Sequence, residues 1–145
     1  MANKFAFALG SNGLFINRHF GDSSVFRLYR KEENGTLVFE AEVENPFREF
    51  DESQSHGSKA KGQGIVEFLR NHGVEAIVSR QFGPNIKIVH RHFIPIKTGV
   101  ETPEEVLLLI EKNMKWIAEE WNTRSEAYHL FALKNGIVKM VVDNK

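Results

Sequence analysis

The chain has 145 residues, 19 acidic and 19 basic side chains, and no cysteine. The length suits one domain of ordinary size, and twelve phenylalanines within 41% hydrophobic residues can fill a substantial core. The balanced charge argues against a main role in coating nucleic acid or an anionic membrane. The lack of cysteine excludes disulfides, thiolate zinc sites and cysteine-ligated iron–sulfur clusters.

Neither the amino-terminal residues nor any apolar run indicates export or membrane insertion. Residues 1–10 lack the long apolar core and the cleavage site of a signal peptide. No apolar run approaches the length of a membrane span. We therefore expect a cytoplasmic protein that binds neither membrane nor nucleic acid.

The first 45 residues predict an antiparallel meander of three strands. Phe5, Phe7 and Leu9 alternate with smaller residues in the first strand, and further strand patterns cover residues 24–31 and 33–45. Between these two, Asn34-Gly35 supplies the positive φ angles of a tight hairpin.

Helices and strands alternate in the second part of the chain. The apolar stripe of residues 60–71 predicts a helix with Gly73 as its cap. A short buried strand over residues 74–79 follows, and then a brief helix over residues 83–91 with Pro84 in its first turn. The strand pattern of residues 92–97 contains a proline, which places this strand toward an edge of the sheet.

The clearest predicted element is a long amphipathic helix. Residues 102–105, with the sequence Thr-Pro-Glu-Glu, form a capping box with proline at the first helical position, and the apolar face behind it continues to Trp121. Residues 127–143 predict a final hairpin around Asn135-Gly136. We expect the apolar residues of this hairpin to be covered, either by the domain or across a dimer: Leu130, Phe131, Ile137 and Val141.

The order of elements is β-β-β-α-β-α-β-α with an added C-terminal hairpin. A meander followed by alternating strands and helices predicts an α/β fold with a mixed sheet, since the crossovers join parallel strands. This order matches a ribonuclease H-like architecture. The expected division is residues 1–121 as one ribonuclease H-like domain and residues 122–145 as a hairpin extension of the same domain.

The stretch of residues 53–64, SQSHGSKAKGQG, is glycine-rich and leads into the first predicted helix. It is either a slack connector or one wall of a ligand site. Backbone amides at a helix start favour an anion, and an imidazole can act as a ligand, which makes His56 a candidate. Lys59, Lys61 and Arg80 could add attraction for an anion. The carboxyl ends of parallel strands are the expected place for the crevice.

Three short motifs resemble those of a known family in order and spacing. They are His19-Phe20-Gly21, His56-Gly57 and Gly83-Pro84-Asn85, within residues 4–121. The chain resembles the nitrogenase iron–molybdenum cofactor biosynthesis family, whose small accessory domains bind the dinitrogenase iron–molybdenum cofactor.

This resemblance implies a ribonuclease H-like fold and a role in carrying or storing the iron–molybdenum cofactor or its iron–sulfur precursor, an anionic cluster. The motifs, with Arg80 facing them, also give the expected site. Its cofactor-binding residues are His19, Gly21, His56, Gly57, Arg80 and Gly83, with His56 and His19 as the metal ligands.

The other histidines have plainer interpretations. His72 lies at a helix end, where a positive charge favours the dipole, and His129 lies in the predicted hairpin. His90 and His92 form an H-x-H pair, which would suit a metal on a strand, although the pair falls at a predicted helix-to-strand junction.

An enzyme is not expected. Ribonuclease H-like nucleases hold two metal ions with carboxylates, and the first strand has no acidic residue. Nucleotide-binding and nucleophile motifs are also absent from the sequence. Two alternatives to a cluster carrier stay open: a module that binds another small anion, such as a phosphorylated metabolite, and an interaction protein. In the latter, the C-terminal helix with Trp116 and Trp121, or the hairpin, would form a homodimer.

Overall fold

A mixed sheet of seven strands organises the computed structural model, which describes residues 3–48, 57–124, 127–134 and 136–142. None of the helices in these residues combines the length and apolarity needed to cross a bilayer. The strands are β1 (Lys4–Leu9), β2 (Val25–Lys31), β3 (Leu37–Glu44), β4 (Ala76–Ser79), β5 (Ile94–Thr98), β6 (Leu130–Leu133) and β7 (Ile137–Met140). The α-helices are α1 (Gly57–Asn71), α2 (Ile86–His92), α3 (Pro103–Lys112) and α4 (Met114–Thr123), and short 3-10 helices cover Phe20–Asp22 and Gly83–Asn85.

The strand order across the sheet is β3-β2-β1-β4-β5-β6-β7. Strands β1, β2 and β3 pair antiparallel, which confirms the predicted meander. In the hairpin, Gly35 has φ +89°, but Asn34 does not have the predicted positive φ. Strands β1, β4, β5 and β6 are parallel to one another, and β7 returns antiparallel to β6. These four neighbouring strands therefore all have their carboxyl ends on the same side of the domain.

The sheet separates two apolar layers. Successive residues of a strand point to opposite faces, so Phe5 and Phe7 pack toward α3 and α4, while Ala6 and Ala8 pack toward α1 and α2. The predicted apolar stripe of the long helix is buried at Val106, Ile110, Met114 and Ile117. Both faces of the sheet are thus covered, as expected for parallel strands.

The end of α1 follows its prediction. Gly73 has φ +77°, its N–H bonds the Arg70 carbonyl, and the Val74 N–H bonds the Leu69 carbonyl. This pair of bonds is the Schellman arrangement, in which glycine accepts the left-handed conformation at no steric cost.

The start of α1 differs from the prediction, because the helix begins at Gly57 and includes most of the residues expected to form a loop. Its glycines are required by close packing. A Cβ on Gly62 would come within 2.5 Å of Asn85 Cγ, and one on Gly64 within 2.5 Å of Phe47 Cε1. These glycines therefore mark contacts of a helix with its neighbours, although glycine lowers helix propensity.

The predicted edge position of the strand with Pro95 is wrong, since β5 lies between β4 and β6. The N–H of Ile94 donates to the Glu75 carbonyl on the β4 side. Because successive N–H groups alternate in direction, the Pro95 nitrogen faces β6, whose pairing with β5 starts only at Ile96. The missing donor thus costs no ladder hydrogen bond.

The long C-terminal helix is divided at Asn113, which has φ −110° and ψ 17°. Both the backbone N–H and Nδ2 of Asn113 donate to the Leu109 carbonyl. Asparagine side chains often compete in this way with backbone N–H groups for a carbonyl, and here the competition interrupts the helix. The predicted capping hydrogen bond of Thr102 is also missing: its hydroxyl is buried and has no partner among the described residues.

The C-terminal hairpin joins the sheet, with β6 parallel to β5. Phe131 is 1% exposed and lies in the core, while Leu130 and Ile137 are half-buried. Val141 follows the last strand and is 82% exposed, so the domain itself does not cover it, and its cover across a dimer stays a prediction.

Candidate functional site

A crevice of about 810 Å³ lies at the carboxyl ends of β4, β5 and β6. Arg80 follows β4, Gly99 follows β5 and Lys134 follows β6, so three parallel strands deliver their next residues to it. The start of the Gly83–Asn85 helix closes one side, and the β6–β7 hairpin closes the other. Its volume suits a small ligand, and its position is the usual one in α/β sheets.

The charged residues among the described lining of this crevice are all basic. Arg80, Lys97 and Lys134 line it, and none of its described lining residues is acidic. Within the part of the chain that the structure describes, these three side chains have no ion-pair partner. A protein of zero formal net charge therefore concentrates three unpaired cations around one cavity, which favours an anionic ligand.

His19 lies next to this crevice. Its residue pairs with Gln81 in a short parallel bridge, and the Phe20 N–H donates to the Gln81 carbonyl. The ring contacts Gly83, where a Cβ would come within 2.7 Å of Cε1. The side chain is exposed, so the imidazole is held at the crevice margin while remaining accessible.

Gly21 is buried and faces α1 rather than the crevice. A Cβ at this position would come within 3.3 Å of Ile65 Cδ1. The Asn45 side-chain amide donates to the carbonyls of Gly21 and Ser23, both at 3.0 Å. Gly21 therefore positions the loop that carries His19 and does not itself line the cavity.

Lys61 is a structural residue rather than the free charge that was expected. Its ammonium is buried and lies 2.8 Å from Asp22 Oδ1. Burial alone would raise the pKa of Asp22, but the hydrogen bond and charge of Lys61, with the charges of Arg18 and His19, lower it below its ordinary value. This ion pair ties α1 to the loop that follows His19.

The motif at residues 56–57 is only partly described. His56 lies outside the described residues, and Gly57 is the first residue of α1. The predicted placement of His56 opposite His19 and Arg80 therefore stays a prediction.

A family comparison covers the segment that carries His19, Arg80 and Gly83. The family model described as dinitrogenase iron-molybdenum cofactor matches residues 1–113 of the 145. The chain belongs to this dinitrogenase iron-molybdenum cofactor family. No curated protein and no solved structure matches the chain significantly.

The residues matched by the family model end before α4, so they include only part of the crevice lining. Arg80, Gly83 and Lys97 lie inside the matched residues, whereas Lys134 and the whole β6–β7 hairpin lie beyond them. The matched residues supply the ends of β4 and β5, whereas the residues beyond them supply the end of β6 and the wall formed by the hairpin.

The remaining histidines contact structural partners. His72 Nδ1 lies 2.9 Å from the Phe68 carbonyl, and His129 Nδ1 lies 2.9 Å from Glu120 Oε2. His90 and His92 both fall in α2, where side chains two positions apart do not face each other, so the H-x-H pair does not form a metal site. The described residues contain no cluster of three metal-binding side chains.

The structure places three of the predicted site residues, His19, Arg80 and Gly83, in or beside the crevice, whereas Lys97 and Lys134 were not predicted. A usable signal existed for Lys97, because the carboxyl end of a central parallel strand is where ligands bind. Pro95 obscures this signal, because a proline within a strand pattern indicates an edge strand. Lys134 required knowledge that β6 pairs parallel to β5.

Proposed function

We propose that this protein is a non-catalytic binding or carrier protein for an anionic iron–sulfur or iron–molybdenum cofactor or its precursor, bound in the crevice at the carboxyl ends of β4, β5 and β6. The observation that carries the proposal is a set of three cations, Arg80, Lys97 and Lys134, that form no ion pair with a described residue and surround a cavity without a described acidic residue. Family membership supports the identity of the cargo and a connection with nitrogen fixation.

The chemistry of the cargo suits the residues that are present. A preformed cluster already has sulfide ligands, so a carrier needs only one or two reversible protein ligands and a surrounding of positive charge. The chain has no cysteine, and imidazole is a suitable ligand for iron. His19, at the margin of the crevice, is the first candidate ligand, and His56 is the second.

A ribonuclease H-like architecture and the lack of catalysis belong to the same proposal. The order β3-β2-β1-β4-β5, in which only β2 runs opposite to the others, supports this architecture. Nucleases of this architecture need carboxylates for two metal ions, and β1 contributes none. Magnesium-dependent cleavage of RNA or DNA, lost on replacing one acidic residue, would contradict the proposal.

The same charges also favour a second candidate, a module for another small anion such as a phosphorylated metabolite. The three cations attract either ligand. The two candidates differ because only the cluster needs an imidazole as a ligand.

As to partners and location, we propose a cytoplasmic protein that binds neither nucleic acid nor membrane. Homodimerisation through α4 or the hairpin is supported by Trp116, which is 47% exposed.

Cluster retention tests the proposal directly. The protein is reconstituted anaerobically with an iron–sulfur cluster, passed through a desalting column and measured by visible absorption per folded protein. Arg80→Gln, His19→Ala and His56→Ala should each lower retention by roughly tenfold, which corresponds to about 1.4 kcal/mol. His72→Ala is the matched control, because its ring contacts Phe68 in α1, and it should retain the wild-type amount.

The outcome also separates the two candidates. Equal retention by all four variants would contradict the cluster proposal. Loss of phosphate binding in Arg80→Gln but not in His19→Ala, without any cluster retention in the wild type, would favour the module for another anion.

A further inference from the structure

The β6–β7 hairpin presents an apolar surface to the crevice. Leu130 pairs with Met140 and Ala132 with Val138 across the two strands, so the four side chains share one face. All four line the crevice. We call this face the apolar platform.

Two members of the platform are more exposed than large apolar side chains usually are. Val138 is 59% exposed and Met140 is 39% exposed. Phe82 and Ile86 line the same crevice from the side of α2. The cavity is therefore polar and cationic at the strand ends and apolar between the hairpin and α2.

The combination of charged strand ends and apolar walls favours one class of ligand over another. A fully hydrated inorganic anion gains from Arg80, Lys97 and Lys134 but leaves the platform in contact with water. A ligand with an apolar body gains further from each apolar area that it removes from water. Pockets for small organic ligands have this composition, with apolar walls and a few charged groups that fix orientation.

We infer that the crevice binds an organic anion whose charged group contacts Arg80, Lys97 and Lys134 and whose apolar body lies on the platform. The inference goes beyond the proposed cargo and rests on the proposed function only in assigning an anion to this crevice. The platform lies outside the residues matched by the family model, so this selectivity is a property of the C-terminal part of the chain.

Three probes isolate the two halves of the crevice. Naphthyl phosphate carries both an anionic group and an apolar body, inorganic phosphate carries the charge alone, and naphthol carries the apolar body alone. Calorimetry should show naphthyl phosphate binding roughly tenfold or more tightly than either of the others. The methyl resonance of Met140 should shift with naphthyl phosphate, because the ring current of the bound naphthyl group acts on it.

Substitutions on the platform provide the decisive comparison. The double variant Val138→Thr with Met140→Gln keeps side-chain size but makes the platform polar. It should lower naphthyl phosphate affinity to that of inorganic phosphate and leave phosphate binding unchanged. Val38→Thr, on the opposite edge strand β3, is the matched control, since Val38 is also exposed, at 39%. Arg80→Gln should weaken both phosphates.

The contrary outcomes are distinct. If naphthyl phosphate binds no tighter than phosphate, or if the double variant behaves like Val38→Thr, the inference is wrong, while a cluster retained through Arg80 would leave the proposed function intact. Conversely, tight naphthyl phosphate binding without cluster retention would support the inference and contradict the cluster proposal. If the double variant only dissociates a dimer in sedimentation experiments, the platform is an interface between copies and the inference is wrong.

Discussion

The imidazole of His19 lies against the backbone of Gly83, so closely that a methyl group at residue 83 would come within 2.9 Å of three ring atoms. Gly83 also has φ +62°, a conformation that other residues adopt at a cost. These two residues come from segments far apart in sequence and belong to two of the three motifs that resemble the family. Their contact gives a direct physical reason for a glycine at residue 83.

Gly83→Ala should have two measurable effects. The left-handed conformation should lower the free energy of unfolding by about 1 kcal/mol, and the new methyl group should displace the His19 ring from the crevice margin. Urea denaturation measures the first effect, and the chemical shifts of the His19 ring measure the second.

Gly99→Ala is the matched control for this variant, because no atom lies within 4 Å of a Cβ built at residue 99. Its stability should change by less than about 0.5 kcal/mol. A Gly83→Ala variant as stable as Gly99→Ala, with unchanged His19 resonances, would show that the contact imposes no constraint.

The Lys61–Asp22 ion pair predicts a stability loss on Lys61→Met. The Lys61 side chain is 4% exposed and that of Asp22 is 22% exposed. Removing the cation leaves a partly buried carboxylate, which should cost about 2 kcal/mol at neutral pH, less than for a fully buried pair. Lys139→Met, at an exposed lysine on β7, should change stability by less than about 0.5 kcal/mol.

The same pair predicts the pH dependence of this loss. The pKa of Asp22 in the folded protein is lowered from its ordinary value of 3.8. The ion pair therefore contributes fully to the free energy of unfolding above pH 3.8, and this contribution is lost as the pH falls through the lowered pKa. In Lys61→Met the pKa of Asp22 should rise, because burial is less opposed. The stability difference between the two proteins should therefore narrow below the ordinary aspartate range, and a difference that stays constant with pH would refute the coupling.

Most strands could be predicted from local sequence because their signals are local. Alternation in β1 and the Asn34-Gly35 turn decide their structure within a few residues. The start of α1 could not be predicted in this way. Gly62 and Gly64 suggest a loop when read alone, and only the proximity of Asn85 and Phe47 shows that a helix needs them.

The candidate site shows the same division. His19 and Gly83 were predicted as a pair of motifs, and the structure brings them into contact. Lys97 and Lys134 could not be assigned, because their meeting depends on the parallel pairing of β5 with β6. Such pairing joins strands more than thirty residues apart, so no local pattern reports it.

The carboxylate of Glu120 binds the residue that precedes the C-terminal hairpin, and we expect substitutions at either partner to lower stability. Its side chain is 2% exposed and accepts hydrogen bonds from the His129 backbone N–H at 2.6 Å and from His129 Nδ1. Glu120→Ala should cost about 2–3 kcal/mol, because a buried donor loses its acceptor. His129→Ala retains the backbone bond and should cost about 1 kcal/mol.

Glu119→Ala, at the exposed neighbour in α4, should lie within about 0.5 kcal/mol of the wild type. Thermal unfolding of the three variants gives the comparison. If Glu120→Ala proved no more destabilising than Glu119→Ala, the carboxylate would not anchor the hairpin.

The β6–β7 hairpin is an integral part of the fold, anchored by Phe131. Phe131 in β6 is 1% exposed and packs in the layer that contains Ile96, Ile117 and Leu133. Phe131→Ala should therefore lower the free energy of unfolding by about 3–5 kcal/mol, since it removes a large buried ring and leaves a cavity. Val141→Ala should cost less than about 0.5 kcal/mol, because Val141 is 82% exposed. Calorimetry should show one cooperative transition in both variants, at a lower temperature only for Phe131→Ala. Should the two variants melt alike, β6 would contribute little to the core, and the hairpin could not hold Lys134 and the apolar platform in place against the crevice.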